Sequence, residues 1–288
     1  MQGRKIVIFS DLDGTLLDHE TYSHEAAMPA LLRVRELHIP LVLASSKTAA
    51  EIGPLRRELG FEHCPAIVEN GSGLLDPSGT RCPVPLKGRQ DDQNGRFEEL
   101  LEKLNQLPPR LRSGFEGFSQ WSVAEIAART GLSEELAALA KRRQFSEPGI
   151  WSAGDGKLEE FLQALMEKGM SATRGGRFLT LSFGGNKAEQ MLEVIGKFAP
   201  ERSDLFVIAL GDAPNDAGML AQADLAVIVT NPGGSSPDLN GIETRGEIVT
   251  STRSGPEGWN EVILDVLNKD KAEQNAGKVP AINGSING

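Results

Sequence analysis

Short apolar runs rich in β-branched residues alternate with segments of helical period near the start of the chain. Lys5–Ser10 (KIVIFS) reads as a strand buried on both faces, because no polar alternation interrupts it. Residues 25–37 carry apolar side chains at helical spacing, and 39–45 (IPLVLAS) read as a second strand. Residues 48–59 predict a helix closed by Gly60, and Ala66–Val68 opens a third strand. The same grammar returns late in the chain. Lys187–Phe198 predicts a helix, 205–210 (LFVIAL) a strand, 214–222 a helix and 225–229 (LAVIV) a strand. Residues 256–267 predict a last amphipathic helix with Pro256 near its first turn. This βαβαβ order predicts an α/β fold with a parallel sheet between helices.

Between the two halves the texture changes. Residues 83–183 hold helical stretches at Arg96–Asn105 and 133–144 and strand candidates at 145–151 and 177–183, without clear parallel-strand runs. About 100 residues suffice for a small domain. The chain therefore reads as a core of residues 1–82 and 184–270, with 83–183 inserted over one side of it. Residues 271–288 are small, polar and aperiodic, which predicts a disordered tail.

Composition narrows the function classes. Of 288 residues 39% are hydrophobic and 24% charged, and no apolar run approaches the ~20 residues of a membrane span. The N-terminus leads almost directly into a strand, so no signal peptide is expected. Cys64 and Cys82 fit neither a disulfide framework nor a metal-ligand spacing, and read as two thiols of a reducing cytoplasm. A net charge of −10 argues against a nucleic-acid or anionic-membrane surface. It leaves room for a small anionic substrate, because a cation and a few local basic side chains set the field inside a pocket.

Four separated pieces carry candidate chemistry, each at a predicted strand end or helix start, where open α/β sheets bind ligands. The first is DLDGT, Asp11 to Thr15, directly after KIVIFS. Two carboxylates two residues apart can converge on one cation and one substrate, one attacking phosphorus while the other handles the leaving-group proton. A calcium loop fails here: Gly14 at loop position six puts Phe9 where an oxygen ligand is required. A plain Asp-Gly turn fits these five residues alone equally well. The second piece is Ser45, Ser46 and Lys47, where a hydroxyl could donate to a phosphoryl oxygen or simply cap the next helix. The third is Lys187 after Gly184, Gly185 and Asn186, a phosphoryl-neutralising cation or a surface lysine. The fourth is GDAPND, in which Asp212 could ligate a cation and Asn215 and Asp216 orient it, or which could be turn chemistry. Few carboxylate ligands suit Mg²⁺.

In order and placement these pieces resemble the four signature motifs of haloacid dehalogenase (HAD) superfamily phosphatases. The resemblance implies a Rossmann-like parallel-sheet core with an inserted α+β cap that selects substrate. It implies Asp11 as the nucleophile of an aspartyl-phosphate and Asp13 as general acid and then base. It further implies Mg²⁺ on Asp11, the Asp13 carbonyl and Asp212, with Ser45 and Lys187 on the phosphoryl group and Asn215 and Asp216 in support. LASSKTAAEI, RQFSEP, GGRF and GPEGW resemble the mannosyl-3-phosphoglycerate phosphatase family, which implies a small phosphorylated sugar–glycerate substrate and a part in making mannosylglycerate; the alternatives are a phosphatase of glucosyl-3-phosphoglycerate or another sugar phosphate, and a phosphomutase. Leu179 and Thr180 stand where that family often has a histidine after its Arg-Phe pair. In the insertion Arg143, Ser146, Glu147 and Arg177 are the candidate substrate contacts. A guanidinium can bind a carboxylate bidentately and Glu147 can take sugar hydroxyls. Without the resemblance, Arg143 reads sooner as a helix-end charge and the Gly175-Gly176 pair as a hairpin turn, and Glu147 could be a solvated acid.

Overall fold

Residues 4–77, 95–175, 177–199 and 201–276 are described by the structure, a computed structural model. Cys82, Gly176 and residues 277–288 of the expected tail lie outside them. The first half of the core runs β1 (Lys5–Ser10), α1 (Met28–Glu36), β2 (Leu41–Ala44), α2 (Ala49–Glu58), β3 (Ala66–Val68) and β4 (Gly73–Leu75). A second unit follows: α3 (Arg96–Asn105), α4 (Pro109–Arg112), β5 (Phe115–Gly117), α5 (Val123–Thr130), α6 (Glu134–Ala140), β6 (Ser146–Trp151), α7 (Asp155–Glu167), β7 (Ser171–Gly175) and β8 (Phe178–Ser182). The chain then returns to the core with α8 (Lys187–Phe198), β9 (Leu205–Gly211), α9 (Ala217–Ala221), β10 (Leu225–Thr230), β11 (Glu247–Ser254) and α10 (Gly255–Ala276).

The core sheet has the order β11-β10-β9-β1-β2-β3-β4 and is parallel except for β4, which runs antiparallel to β3. β1 is central, paired with β9 from Lys5 opposite Leu205 to Ser10 opposite Leu210. Its unbroken apolar run reflects burial on both faces. Val7 and Phe9 pack with Met191, Val194 and Ile195 of α8, while Ile8 packs with Leu31 and Val34 of α1 and Trp259 and Ile263 of α10.

The second sheet is antiparallel, in the order β5-β6-β8-β7. Leu100, Leu104, Phe161 and Leu165, from α3 and α7, cover Phe115, Leu179 and Leu181. A separate cluster joins Phe118, Trp121, Ile126 and Phe178, with Phe118 and Phe178 edge to face at 5.4 Å. Among the described residues no helix is long and apolar enough to cross a membrane.

Some elements differ from the sequence expectation. The helix expected at 133–144 ends at Ala140, after which the chain turns and Arg143 reaches back to the core. The last helix, expected to stop at 267, continues to Ala276. No Gly or Pro interrupts it between Gly258 and Gly277, and Lys269 pairs with Asp265 one turn back at 2.7 Å. β11 (EIVTSTRS) is mostly exposed at the sheet edge, so it lacks the apolar run that marks the inner strands.

Candidate active site

Asp11, Ser45, Glu69, Asp212 and Asn231 are each the first residue beyond a parallel strand, after β1, β2, β3, β9 and β10 respectively. Parallel register brings these strand ends onto one rim, so side chains as far apart in the chain as Thr15 and Asp212, 197 positions, become neighbours. Sheet bonding carries one residue past β1, with the Asp11 N–H donating to the Leu210 carbonyl at 2.9 Å. Beyond it the chain folds on itself: the Gly14 N–H donates to the Leu17 carbonyl and the Leu17 N–H to the Leu12 carbonyl. Gly14 has φ +83°, and a Cβ there would lie 2.5 Å from Asp212 Oδ2. Only glycine allows this loop to lie against the Asp212 carboxylate.

Lys187, 2% exposed, opens α8 and points into a group of acids. Its Nζ donates to Asp11 Oδ1 at 2.5 Å and to Asp216 Oδ1 at 2.7 Å. Asp216 Oδ2 accepts from the N–H groups of Asp212 and Ala213. Asp212 accepts from Thr15 Oγ1 at 2.6 Å and from Asn231 Nδ2 at 2.7 Å. Burial pushes the Asp11 carboxyl well above the usual carboxylate range. Lys187 pulls it down, while Asp216, Asp212 and Asp13 add to the rise. Burial also raises Asp212, against the hydrogen bonds from Thr15 and Asn231. At Lys187 burial disfavours the charge, but Asp11 and Asp216 outweigh it and hold the pKa above the ordinary lysine value.

Asp11, Asp212 and Asp216 each present a carboxylate oxygen within 4.8 Å of the others. Three buried acids facing one ammonium leave excess negative charge, and their all-oxygen donor set suits a small hard divalent cation.

A family model of haloacid dehalogenase-like hydrolases matches residues 8–80. The chain is 35% identical over 277 residues to the glucosyl-3-phosphoglycerate/mannosyl-3-phosphoglycerate phosphatase of Persephonella marina, covering 92% of this chain and 98% of the relative. This chain belongs to that family of haloacid dehalogenase-like hydrolases. The relative of the same name in Methanococcoides burtonii is 32% identical over 273 residues, covering 92% of this chain and 98% of its own. A haloacid dehalogenase-like hydrolase of Bacteroides thetaiotaomicron shares the fold, with a TM-score of 0.58 at 20% identity over 91% of this chain and 100% of that one.

The remaining candidate residues of this family member divide into two groups. On the rim, Ser45 is buried and its Oγ accepts from the Lys47 N–H. The Asp13 Oδ2 pairs with Lys47 Nζ at 2.8 Å, while its Oδ1 is screened from solvent with no partner among the described residues. Asn215 is exposed and donates to Asn70 Oδ1 at 3.1 Å.

In the second unit, Arg143 pairs with fully buried Glu69 at 3.2 Å and donates to the Ser46 carbonyl and to Ser146 Oγ. Ser146 Oγ donates in turn to Glu69, which also accepts the N–H groups of Gln144 and Phe145. Glu147 is buried, with Oε1 accepting from the Ser119 N–H and hydroxyl and Oε2 unpartnered among the described residues. Burial raises its pKa, against the Ser119 bonds. Arg177 is exposed and donates to the Thr130 carbonyl at 3.1 Å.

Sequence reasoning gave no role to Thr15, Lys47, Glu69, Asn70 or Asn231. Asn231 had a signal: it opens Asn-Pro-Gly-Gly one residue after the apolar run LAVIV. Glu69 and Asn70 had little, because their φ values of 51° and 57° follow from the contacts they make rather than from residue type.

Proposed function

We propose that this chain is a Mg²⁺-dependent phosphatase that converts mannosyl-3-phosphoglycerate to mannosylglycerate and phosphate through an aspartyl-phosphate on Asp11. The observation that carries the proposal is the buried group in which Lys187 bridges Asp11 and Asp216 beside Asp212. It belongs to a chain that aligns over 92% of its length with relatives whose names include this substrate. The Asp11 carboxylate attacks phosphorus and the bond from phosphorus to the glycerate oxygen breaks, with Asp13 delivering a proton to that oxygen. Asp13 then takes a proton from water, which attacks the phosphorus of the acyl phosphate, frees inorganic phosphate and restores Asp11. Ser45 donates to a phosphoryl oxygen, and Lys187 neutralises charge while holding Asp11 against Asp216. Asp11, Asp212 and the Asp13 carbonyl would hold Mg²⁺, which supplies further neutralisation of the phosphoryl oxygens. Asp216 and Asn215 support these groups.

Residues 83–183 act as the cap, in a protein that works in the cytoplasm. Arg143 and Ser146 clasp Glu69 and set how β6 stands over the rim, Glu147 Oε2 accepts from a sugar hydroxyl, and Arg177 contributes a peripheral contact. Both relatives also carry the glucosyl compound in their names, which makes it the second substrate reading.

Phosphate release in Mg²⁺ is measured with the mannosyl and glucosyl compounds, 3-phosphoglycerate and p-nitrophenyl phosphate. A kcat/KM for a glycosyl compound about a hundredfold above the last two, roughly 2.7 kcal/mol, is the expected result. Equal, poor turnover of all four overturns the substrate assignment.

A further inference from the structure

Lys47 stands beside Asp13, the residue that meets the leaving oxygen. Its Nζ is 2.8 Å from Asp13 Oδ2, and its side chain is 16% exposed. The Tyr22 ring covers the ammonium at 4.9 Å. Tyr22 is itself held in a left-handed conformation, φ 57°, in a turn where Asp18 Oδ1 accepts from the N–H groups of Glu20 and Thr21 and from the Thr21 hydroxyl. A non-glycine residue kept there by its surroundings marks a position the fold over-determines. Burial disfavours the Lys47 charge, but Asp13 outweighs it, with Glu51 and Tyr22 adding to the rise, so the side chain is cationic at neutral pH.

Among the described residues, three other candidate cations are engaged elsewhere. Lys187 joins Asp11 to Asp216, Arg143 serves Glu69, and Arg177 is exposed on the Thr130 carbonyl. An ammonium carries three donors, and a partly screened one binds a carboxylate strongly. In a 3-phosphoglycerate ester the carboxylate carbon is three bonds from the ester oxygen. A group touching the acid that protonates this oxygen is therefore within reach of the carboxylate.

We infer that Lys47 binds the carboxylate of the glycerate leaving group and is the residue that selects phosphoglycerate esters over other phosphate monoesters. The inference rests on the phosphoglycerate reading above. The competing role is that Lys47 acts only through Asp13, which would affect every substrate alike.

The decisive comparison is kcat/KM in Mg²⁺ for mannosyl-3-phosphoglycerate against its analogue with the carboxylate reduced to a hydroxymethyl group. The expected result is a wild-type preference of about tenfold or more for the carboxylated compound, which Lys47→Met abolishes chiefly by losing the carboxylated substrate. Should that variant not fold, Lys47→Gln is judged on the same ratio. An equal fall for both compounds, with the preference intact, overturns the role of Lys47 and leaves the substrate reading standing. A wild-type enzyme with no preference for the carboxylate overturns both.

Discussion

At the scale of single residues, the site is organised around one ammonium among several buried acids. Asp11→Asn removes the proposed nucleophile while keeping its shape, so turnover is expected to fall by more than about a thousandfold with the circular dichroism spectrum unchanged. Phosphate-release assays on that variant check this, and undiminished turnover would rule out Asp11 as nucleophile. The same substitution exposes a pH effect. Burial raises the Asp11 carboxyl, so above the ordinary carboxylate value the folded state holds more protons than the unfolded chain. Stability attributable to Asp11 is therefore lost as pH rises through that window. In EDTA, the Tm of wild type minus that of Asp11→Asn is expected to fall as pH rises above the ordinary carboxylate range, and saturating Mg²⁺ is expected to flatten the slope. A difference that rises with pH would show that Lys187, rather than burial, dominates at Asp11.

At the scale of elements, each loop is held by a contact from another part of the sequence. The turn after β1 needs Gly14 at φ +83° beside Asp212. Gly14→Ala is expected to cost about 1–3 kcal/mol and to lower kcat/KM for p-nitrophenyl phosphate, measured by thermal unfolding and steady-state kinetics. The end of β1 is fixed by α10: Trp259 Nε1 donates to Ser10 Oγ at 3.0 Å, and that hydroxyl donates to the Asp11 carbonyl at 2.7 Å. Trp259→Phe leaves a buried hydroxyl one donor short and is expected to cost about 1–3 kcal/mol, read from urea unfolding. No loss would mean that the bond is dispensable.

The strands and helices of the core were largely legible, because both-face burial writes an apolar run and helix packing writes a period of 3.6. β11 and the part of α10 beyond Leu267 were not, since β11 is mostly exposed and Asn268, Lys269 and Lys271 are exposed polar residues.

At the scale of the whole molecule, Glu69 ties the two sheets together. Its N–H donates to the Lys47 carbonyl, and the Asn70 N–H donates to that of Ser45. Its carboxylate receives Arg143, Ser146 and two N–H groups of the second unit. The loop that carries Ser45 and Lys47 and the strand that carries Glu147 are thereby referred to one buried acid. Arg143→Ala strands that charge and is expected to cost about 3–5 kcal/mol. Glu69→Ala combined with Arg143→Ala should cost less than the sum of the two single changes. Additive losses in chemical denaturation would show that the pair is not coupled.

What the sequence by itself determined is the alternation of strands and helices and the chemical groups at the strand ends. Asp11, Ser45 and Asp212 follow apolar runs, and such runs end at the rim of a parallel sheet for local reasons of burial. What only the tertiary structure decided is which of these groups share a partner. Lys187 meets Asp11 across 176 positions and Asp216 across 29, and Arg143, a candidate substrate contact, meets Glu69 across 74 positions. A lysine at a helix start or an arginine after a helix looks the same in sequence whether solvated or buried. Its charge acquires a role only when packing removes water and places one particular carboxylate within reach.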